Sequence, residues 1–186
     1  MPWSPEQKKH TRERILASAA KLFTQQGFDH VGINEVMADA GLTRGAFYAH
    51  FSSKAELYAE SITTAARLAH SEALAQMDER FDIEKVVRGY LGEAHRCGEI
   101  INCPLALLIT DIGQRDVEVR DTYTQVFKGV VGLIEDSAAL GTDQGDALRK
   151  AVLMIGGMAI SRAISDEELA TQLLEACREG VLPDSV

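Results

Sequence analysis

The stretch Ala40-Gly41-Leu42-Thr43-Arg44-Gly45-Ala46-Phe47-Tyr48 decides the fold. The apolar residues before it keep helical spacing and predict a short helix that ends at Gly41, since glycine accepts the positive φ of a tight turn. Thr43 has the side chain of a helix N-cap and predicts a second short helix over residues 44–50. Two short helices joined by such a turn are typical of a helix-turn-helix.

The second of these helices presents groups suited to DNA. Its N-terminal amides and the positive end of its dipole favour phosphate, provided that Thr43 leaves this end facing outward. Arg44 stands at the start of the helix, where a guanidinium can reach the edge of a guanine base. The alternative for Arg44 is a solvated surface arginine.

Outward from this stretch, the chain predicts helices and no strands, because period-two alternation is absent. Ser4-Pro5-Glu6-Gln7 predicts the start of a first helix that ends at Gly27, and Ser53-Lys54-Ala55-Glu56 predicts a long helix to about residue 79. Five further helices are predicted near residues 83–94, 104–108, 116–134, 143–163 and 165–180. The last of them opens on the capping box that begins at Ser165. The expected fold is therefore all-α, with about nine helices.

Charge is divided unevenly along the chain. Residues 1–58 carry seven basic and six acidic side chains, whereas residues 59–186 carry 12 basic and 22 acidic ones, and the net charge is −9. Only the N-terminal third can therefore approach a polyanion at low electrostatic cost. We expect a DNA-binding domain over residues 1–53 and a second, helical domain over residues 54–186, to which the family resemblance described below assigns ligand binding and dimerisation.

Several other classes of protein are disfavoured. The longest apolar run, residues 151–160, is half of the about 20 residues that a membrane helix needs. No basic segment followed by an apolar one opens the chain, so we expect a cytoplasmic location. Three scattered cysteines show no zinc-site spacing, and no catalytic motif is present. We expect no metal, no cofactor and no enzymatic activity.

Residues 15–23, 27–28 and 33–57 together resemble the tetracycline-repressor (TetR) family, and the ordered core of the match runs from Ala40 to Leu57. The resemblance implies an all-helical homodimer that binds a palindromic operator in double-stranded DNA. It also implies that a small-molecule effector entering the C-terminal domain lowers the affinity for DNA.

The resemblance also assigns roles to residues. Phe47 and Phe51 match buried anchors, whereas Tyr48 and His50 match phosphate contacts. Val31 and Gly32 stand where the family usually has a hydroxyl residue, and Asn34 is the nearest polar substitute. For basic residues of the first helix, phosphate contact and a plain solvated face remain open. The predicted DNA-contacting residues are Lys9, Arg12, Asn34, Thr43, Arg44, Gly45, Ala46, Tyr48, His50 and Lys54.

In the C-terminal part, polar or soft side chains that interrupt apolar stripes are candidates for an effector pocket, with core packing as the alternative for each. These candidates are Tyr90, His95, Cys103, Asp111, Tyr123, Phe127, Met154 and Arg162. Gly89 and Gly92 interrupt a helical stripe, and either close packing or room for a ligand would explain them. The apolar helix with Gly156 and Gly157 and the last helix predict a dimer face, with an intramolecular core helix as the alternative.

The sequence therefore predicts a transcriptional regulator, a repressor released from its operator by a small molecule. The alternative is a redox or electrophile sensor that acts through Cys103. That alternative requires an accessible thiol with a lowered pKa, which a position near the start of the helix at Pro104 would favour.

Overall fold

The computed structural model describes residues 4–75, 82–99, 103–137 and 143–182. These residues contain no strand, which confirms the all-α prediction. They form eleven helices: α1 Pro5–Gln26, α2 Ile33–Asp39, α3 Arg44–Phe47, α4 Lys54–Ala75, α5 Ile83–Tyr90, α6 Glu93–Cys97, α7 Pro104–Leu107, α8 Ile109–Ile112, α9 Val117–Glu135, α10 Gln144–Ala163 and α11 Glu167–Val181.

The predicted number of about nine helices was wrong because one predicted segment is broken in two and one helix, α8, was not predicted. The predicted segment near residues 83–94 breaks after Tyr90, where Gly92 takes an extended conformation and precedes α6. A side chain there would crowd the end of α5, since a Cβ atom on Gly92 would lie 3.0 Å from the carbonyl oxygen of Arg88. The predicted segment near residues 104–108 forms α7, and α8 follows it after Leu108, where φ is −105° and ψ is 3°. Close packing thus explains Gly92.

Most helix ends follow the local sequence. Ser4 and Gln7 form the predicted reciprocal capping box, and Gly27 and Gly41 have the positive φ that their turns require. The predicted start of the last helix was wrong by one residue. Asp166, rather than Ser165, accepts the hydrogen bond from the backbone of the first turn.

The start of α4 departs from an ideal capping box. The Ser53 hydroxyl accepts from the Glu56 amide at 3.0 Å, as predicted, but the Glu56 carboxylate accepts from the amide of Ser52 at 2.7 Å. The predicted continuation of this helix over residues 76–79 lies outside the described residues. Across the described ranges, no helix is both long and apolar enough to cross a membrane.

Two apolar cores organise the described residues. The N-terminal core is formed by α1–α4 together with Leu108, Ile112 and Val119 from the following helices. The C-terminal core joins α5, α7, α9, α10 and α11. Tyr123 and Val126 of α9 pack against both cores. The N-terminal core thus holds the helix-turn-helix directly against the rest of the chain.

Candidate nucleic-acid interface and ligand cavity

Helix α3 is held by the buried ring of Phe47 and by the half-buried Ala46, which packs against the N-terminal core. Phe47 is 0% exposed, whereas Arg44 and Gly45 are exposed and Tyr48 is 62% exposed. Thr43 occupies the N-cap position, but its side chain makes no capping hydrogen bond, so that part of the prediction was wrong. The exposed start of α3 can therefore approach a groove of DNA with its backbone amides and Arg44.

The neighbouring predicted contacts have different surroundings. Asn34 is exposed on α2, and Gly32 precedes that helix without a side-chain cap, as the departure from the family pattern implies. Lys9 is exposed, with its ammonium 4.0 Å from the Glu13 carboxylate. Arg12 differs from a plain solvated arginine, because its guanidinium donates to Glu60 of α4 at 2.5 and 2.6 Å.

Two further predicted contacts are partly buried. The Lys54 ammonium donates to the carbonyl oxygen of Phe28 at 2.5 Å and lies 4.1 Å from the centre of the Phe28 ring. Burial lowers the pKa of Lys54. Burial also lowers the pKa of His50, and the positive charges of Lys8 and Arg12 lower it further. Lys54 therefore also ties α4 to the loop after α1, and its contact with DNA stays a prediction, as does that of His50.

Sequence reasoning missed the side chains that fasten α2 to α1. The Arg14 guanidinium donates to the carbonyl oxygen of Ala40 at 2.6 Å, at the end of α2. The Ser18 hydroxyl donates to Asp39, which also pairs with Lys21 at 2.9 Å, and these bonds lower the pKa of Asp39. No local motif signals these contacts, because the partners lie 18 to 26 residues apart in the chain.

A second missed cluster, the Arg115 junction, comprises Phe28, Asp29, Tyr58, Asp111 and Arg115. Arg115 donates to both carboxylate oxygens of Asp29, at 3.3 and 2.7 Å, and to Asp111. Its guanidinium carbon lies 4.5 Å from the centre of the Phe28 ring. Tyr58 donates its hydroxyl hydrogen to the other oxygen of Asp111. The junction therefore connects the loop after α1 and helix α4 with α8 and the segment that follows it.

A cavity of about 640 Å³ lies among α4, α5, α9 and α10, with further lining from α6 and α7. Most of its wall is apolar, and the charged side chains along it belong to α4 and α5. Four of the eight candidate pocket residues line it, namely Tyr90, His95, Cys103 and Met154. A largely apolar pocket of this volume is of the size that binds small molecules.

The other four candidates do not line this cavity. Asp111 belongs to the Arg115 junction. Tyr123 donates its hydroxyl hydrogen to the carbonyl oxygen of Leu105 at 2.7 Å, and Phe127 packs against the C-terminal core. Arg162 donates to the carbonyl oxygen of His95 at 2.9 Å. For these four residues, interruption of an apolar stripe marked internal contacts rather than a place on the cavity wall.

Residues 15–61 match the family model described as bacterial regulatory proteins of the tetR family. This match covers about a quarter of the chain and shows that its N-terminal segment is similar to the TetR family. It is 27% identical over 123 residues to the uncharacterized HTH-type transcriptional regulator YxaF of Bacillus subtilis, covering 63% of this chain and 64% of YxaF. It is 42% identical over 55 residues to the HTH-type transcriptional regulator AcrR of Shigella flexneri, covering 30% of this chain and 26% of AcrR. The chain thus spans less than two thirds of either relative.

Solved structures of TetR-family regulators share the whole fold. A TetR-family transcriptional regulator from Cytophaga hutchinsonii superposes with a TM-score of 0.76 at 17% identity, and all of both chains is covered. The reduced form of NemR from Escherichia coli superposes with a TM-score of 0.72 at 20% identity, covering 95% of this chain and 100% of NemR. The likeness in fold therefore extends through the C-terminal helices, well beyond residues 15–61.

Three polar side chains of the cavity wall, His95, Tyr90 and Cys103, are uncharged at pH 7. His95 is 2% exposed, and its Nδ1 must carry the hydrogen because it lies 2.7 Å from the carbonyl oxygen of Tyr90. Its Nε2 then accepts from the Cys103 amide at 3.3 Å. Burial raises the pKa of the Tyr90 hydroxyl and of the Cys103 thiol. A raised pKa disfavours the thiolate, so the surroundings of Cys103 do not favour the sensor alternative.

The predicted dimer face carries exposed apolar side chains. Leu148, Val152 and Ile160 of α10 and Leu169 of α11 are each more than 40% exposed. Gly157, in contrast, serves packing within the chain, since a Cβ atom there would lie 2.5 Å from the Cys177 sulfur of α11. The two helices thus pack closely on each other and still leave an apolar surface uncovered.

Proposed function

We propose that this chain is a DNA-binding transcriptional regulator, a repressor that a small molecule releases from its operator. One observation carries the proposal. Helix α4 begins at Lys54, inside the matched DNA-binding segment, and its second half lines the cavity between Thr63 and Leu74. One rigid element therefore joins the place where DNA would bind to the place where a ligand would bind. The names of the curated relatives as transcriptional regulators support it.

In this proposal, residues 1–53 bind DNA in the cytoplasm, and residues 54–186 bind the effector and form the homodimer. The start of α3 enters the major groove, Arg44 reads base edges, and small side chains at Gly45 and Ala46 allow close approach. Basic residues of α1 and the hydroxyl of Tyr48 contact phosphate, which fixes position without reading sequence. The acidic remainder of the chain is repelled by DNA and faces away from it.

Dimerisation through α10 and α11 would present two copies of α3. A two-fold dimer of this kind reads a palindromic operator whose half-site centres lie about one helical turn apart, roughly 34–36 Å. The exposed apolar side chains of α10 and α11 support this pairing, because association is favoured when a partner covers an exposed apolar surface.

The effector acts through α4. A ligand shifts the equilibrium between two conformations only by the difference in its affinity for them. It must therefore bind more tightly to a conformation in which the position of α4 sets a distance between the two α3 helices that does not match the operator. Two contacts would carry that shift to the helix-turn-helix, the Arg12–Glu60 pair and the Arg115 junction. Because binding coupling is reciprocal, DNA lowers the affinity for the ligand by the same factor.

The experiment that tests this function is a fluorescence-anisotropy titration of the full chain against its own promoter DNA, with a random duplex of equal length as control. We expect the promoter to bind at least a hundredfold more tightly. Compounds that raise the melting temperature of the chain are then added, and one or more should release the DNA. Equal affinity for promoter and random DNA would refute sequence-specific regulation.

The proposed lever has its own measurement. Spin labels on an Ala49→Cys variant, in a background whose native cysteines are replaced by alanine or serine, report the separation of the two α3 helices. A releasing compound should change the mean or the width of that distance. If DNA is released while the distance stays the same in both respects, the lever mechanism is wrong.

A further inference from the structure

Two glycines stand inside the cavity wall. Gly129 lies in the middle of α9, on the stripe formed by Val126, Val130, Leu133 and Ile134, all of which line the cavity. Gly89 lies on the cavity side of α5. Glycine inside a helix is destabilising relative to alanine, because the unfolded chain loses more conformational freedom on folding. Each glycine therefore needs a reason.

The usual reasons for a helical glycine do not apply to either position. Neither residue has a positive φ, unlike Gly27, Gly41 and Gly98. Neither is needed for a close approach, because a Cβ atom at Gly89 or Gly129 would meet nothing within 4 Å. What the two glycines share is a place on the cavity wall, an exposed backbone and open space at the Cβ position.

We propose that Gly89 and Gly129 are specificity-determining residues of the cavity, and that they leave bare helix backbone against which a mainly apolar small molecule, uncharged in its buried part, is bound. The inference rests on the proposed function and deepens it. The sequence left two explanations open for Gly89 and Gly92, close packing or room for a ligand. In this proposal Gly89 provides room for a ligand, whereas Gly92 is needed for close packing.

The chemistry of the wall sets the class of ligand. The side chains that flank Gly129 on α9 are aliphatic, so a charged group placed among them would lose its hydration without compensation. The buried His95 and the half-buried Cys103 are neutral at pH 7 and offer no counter-charge. Three charged side chains line the wall: Arg67 and Lys85 are exposed and Glu72 is half-buried, so a polar end of the ligand would lie on the side of α4 and α5 where these groups stand.

The test uses Nile red, a neutral apolar dye whose fluorescence rises in an apolar site, with the purified full chain. Gly129→Leu adds a helix-forming side chain that fills the cavity, and Gly132→Leu is the matched control. Gly132 lies on the same helix, does not line the cavity, and has equal space around its Cβ position. We expect Gly129→Leu to weaken dye binding about tenfold or more, and Gly132→Leu to change it less than twofold.

A pair of alanine variants, Gly129→Ala and Gly132→Ala, keeps the proposal testable if leucine at either position prevents folding. Gly129→Ala should raise the melting temperature by about 2–4 °C through helix propensity and should weaken dye binding in the same variant. A merely structural glycine would not give these opposite signs. Gly132→Ala should raise the melting temperature alone.

Three results would overturn the proposal. They are dye binding by Gly129→Leu equal to wild type, an equal loss in Gly132→Leu, and no saturable dye binding by the wild-type chain. Promoter binding is measured on the same proteins. If the wild-type chain shows no preference for its promoter over random DNA, the proposed function is refuted while the dye results still hold. Failure of the proposed function and failure of the glycine proposal can therefore be distinguished.

Discussion

Replacing Tyr58 by phenylalanine tests the Arg115 junction with a change of one oxygen atom. Tyr58 is 0% exposed, and its hydroxyl donates to Asp111, which also accepts from Arg115. Burial, together with the Asp111 carboxylate, raises the pKa of Tyr58, so the hydroxyl keeps its hydrogen and acts as a donor at any working pH. The variant keeps the ring, whose centre lies 4.9 Å from those of Phe23 and Phe28. It therefore removes the hydrogen bond and little else.

The expected cost follows from the partners. A hydrogen bond to a charged group contributes about 1.5–3 kcal/mol. Asp111 retains its bond to Arg115, so its carboxylate is not left without compensation, and the lower end of the range applies. We expect Tyr58→Phe to lower the free energy of unfolding by about 1.5 kcal/mol and the melting temperature by about 3–6 °C.

Urea unfolding at one fixed protein concentration measures this change, because the stability of a dimer depends on concentration. Tyr48→Phe is the control, since Tyr48 is 62% exposed, and it should alter stability by less than 0.5 kcal/mol. A double-mutant cycle with Asp111→Asn isolates the pairwise contribution. A cost below 0.5 kcal/mol for Tyr58→Phe, or no coupling in the cycle, would refute the junction as a stabilising contact.

Three further predictions concern the DNA site, the dimer and pH. Arg44→Ala should lose about 1–3 kcal/mol of binding free energy on the operator and relax the preference for one base. Lys54→Ala should lower the affinity for all duplexes equally and reduce the slope of log affinity against log salt concentration by about 1; fluorescence anisotropy measures both effects. Val152→Asp, at a site that is 62% exposed, should give monomers in light scattering, and an unchanged dimer would place the interface elsewhere. Burial lowers the pKa of His95 from its usual 6.5, so the folded state binds fewer protons and stability falls as pH drops below about 6.5. Melting curves from pH 5 to 8 should show a weaker fall for His95→Gln, and an identical fall would assign the effect to other groups.

Local signals in the sequence predicted local structure well. Ser4 and Gln7 cap each other, Gly41 turns the chain, and Phe47 is buried, because each of these features depends on residues within a few positions. The break near Leu91 and the short helix α8 after Leu108 were missed. Apolar spacing continues through the break near Leu91, and only packing against other helices distinguishes a bent segment from a straight one.

The candidate sites show the same boundary between local and distant information. Arg115 pairs with Asp29 from 86 residues away, and nothing near either residue signals the partner. Asp111 was assigned to the pocket because it interrupts an apolar stripe, yet a carboxylate can be half-buried for an internal ion pair as readily as for a ligand. Sequence pattern identified which positions are unusual, and the fold decided what each of them contacts.

The shared N-terminal core has a consequence for building hybrids. Leu108, Ile112 and Val119 lie far outside the matched segment, yet they complete the apolar surface on which the helix-turn-helix rests. A fragment that ends at residue 61 would leave that surface exposed to water. If the fragment were fused to the C-terminal domain of another protein, that surface would meet side chains of a different shape. A working chimera must include these three residues as well. The part of this chain that has to be transferred for DNA recognition is therefore discontinuous in sequence.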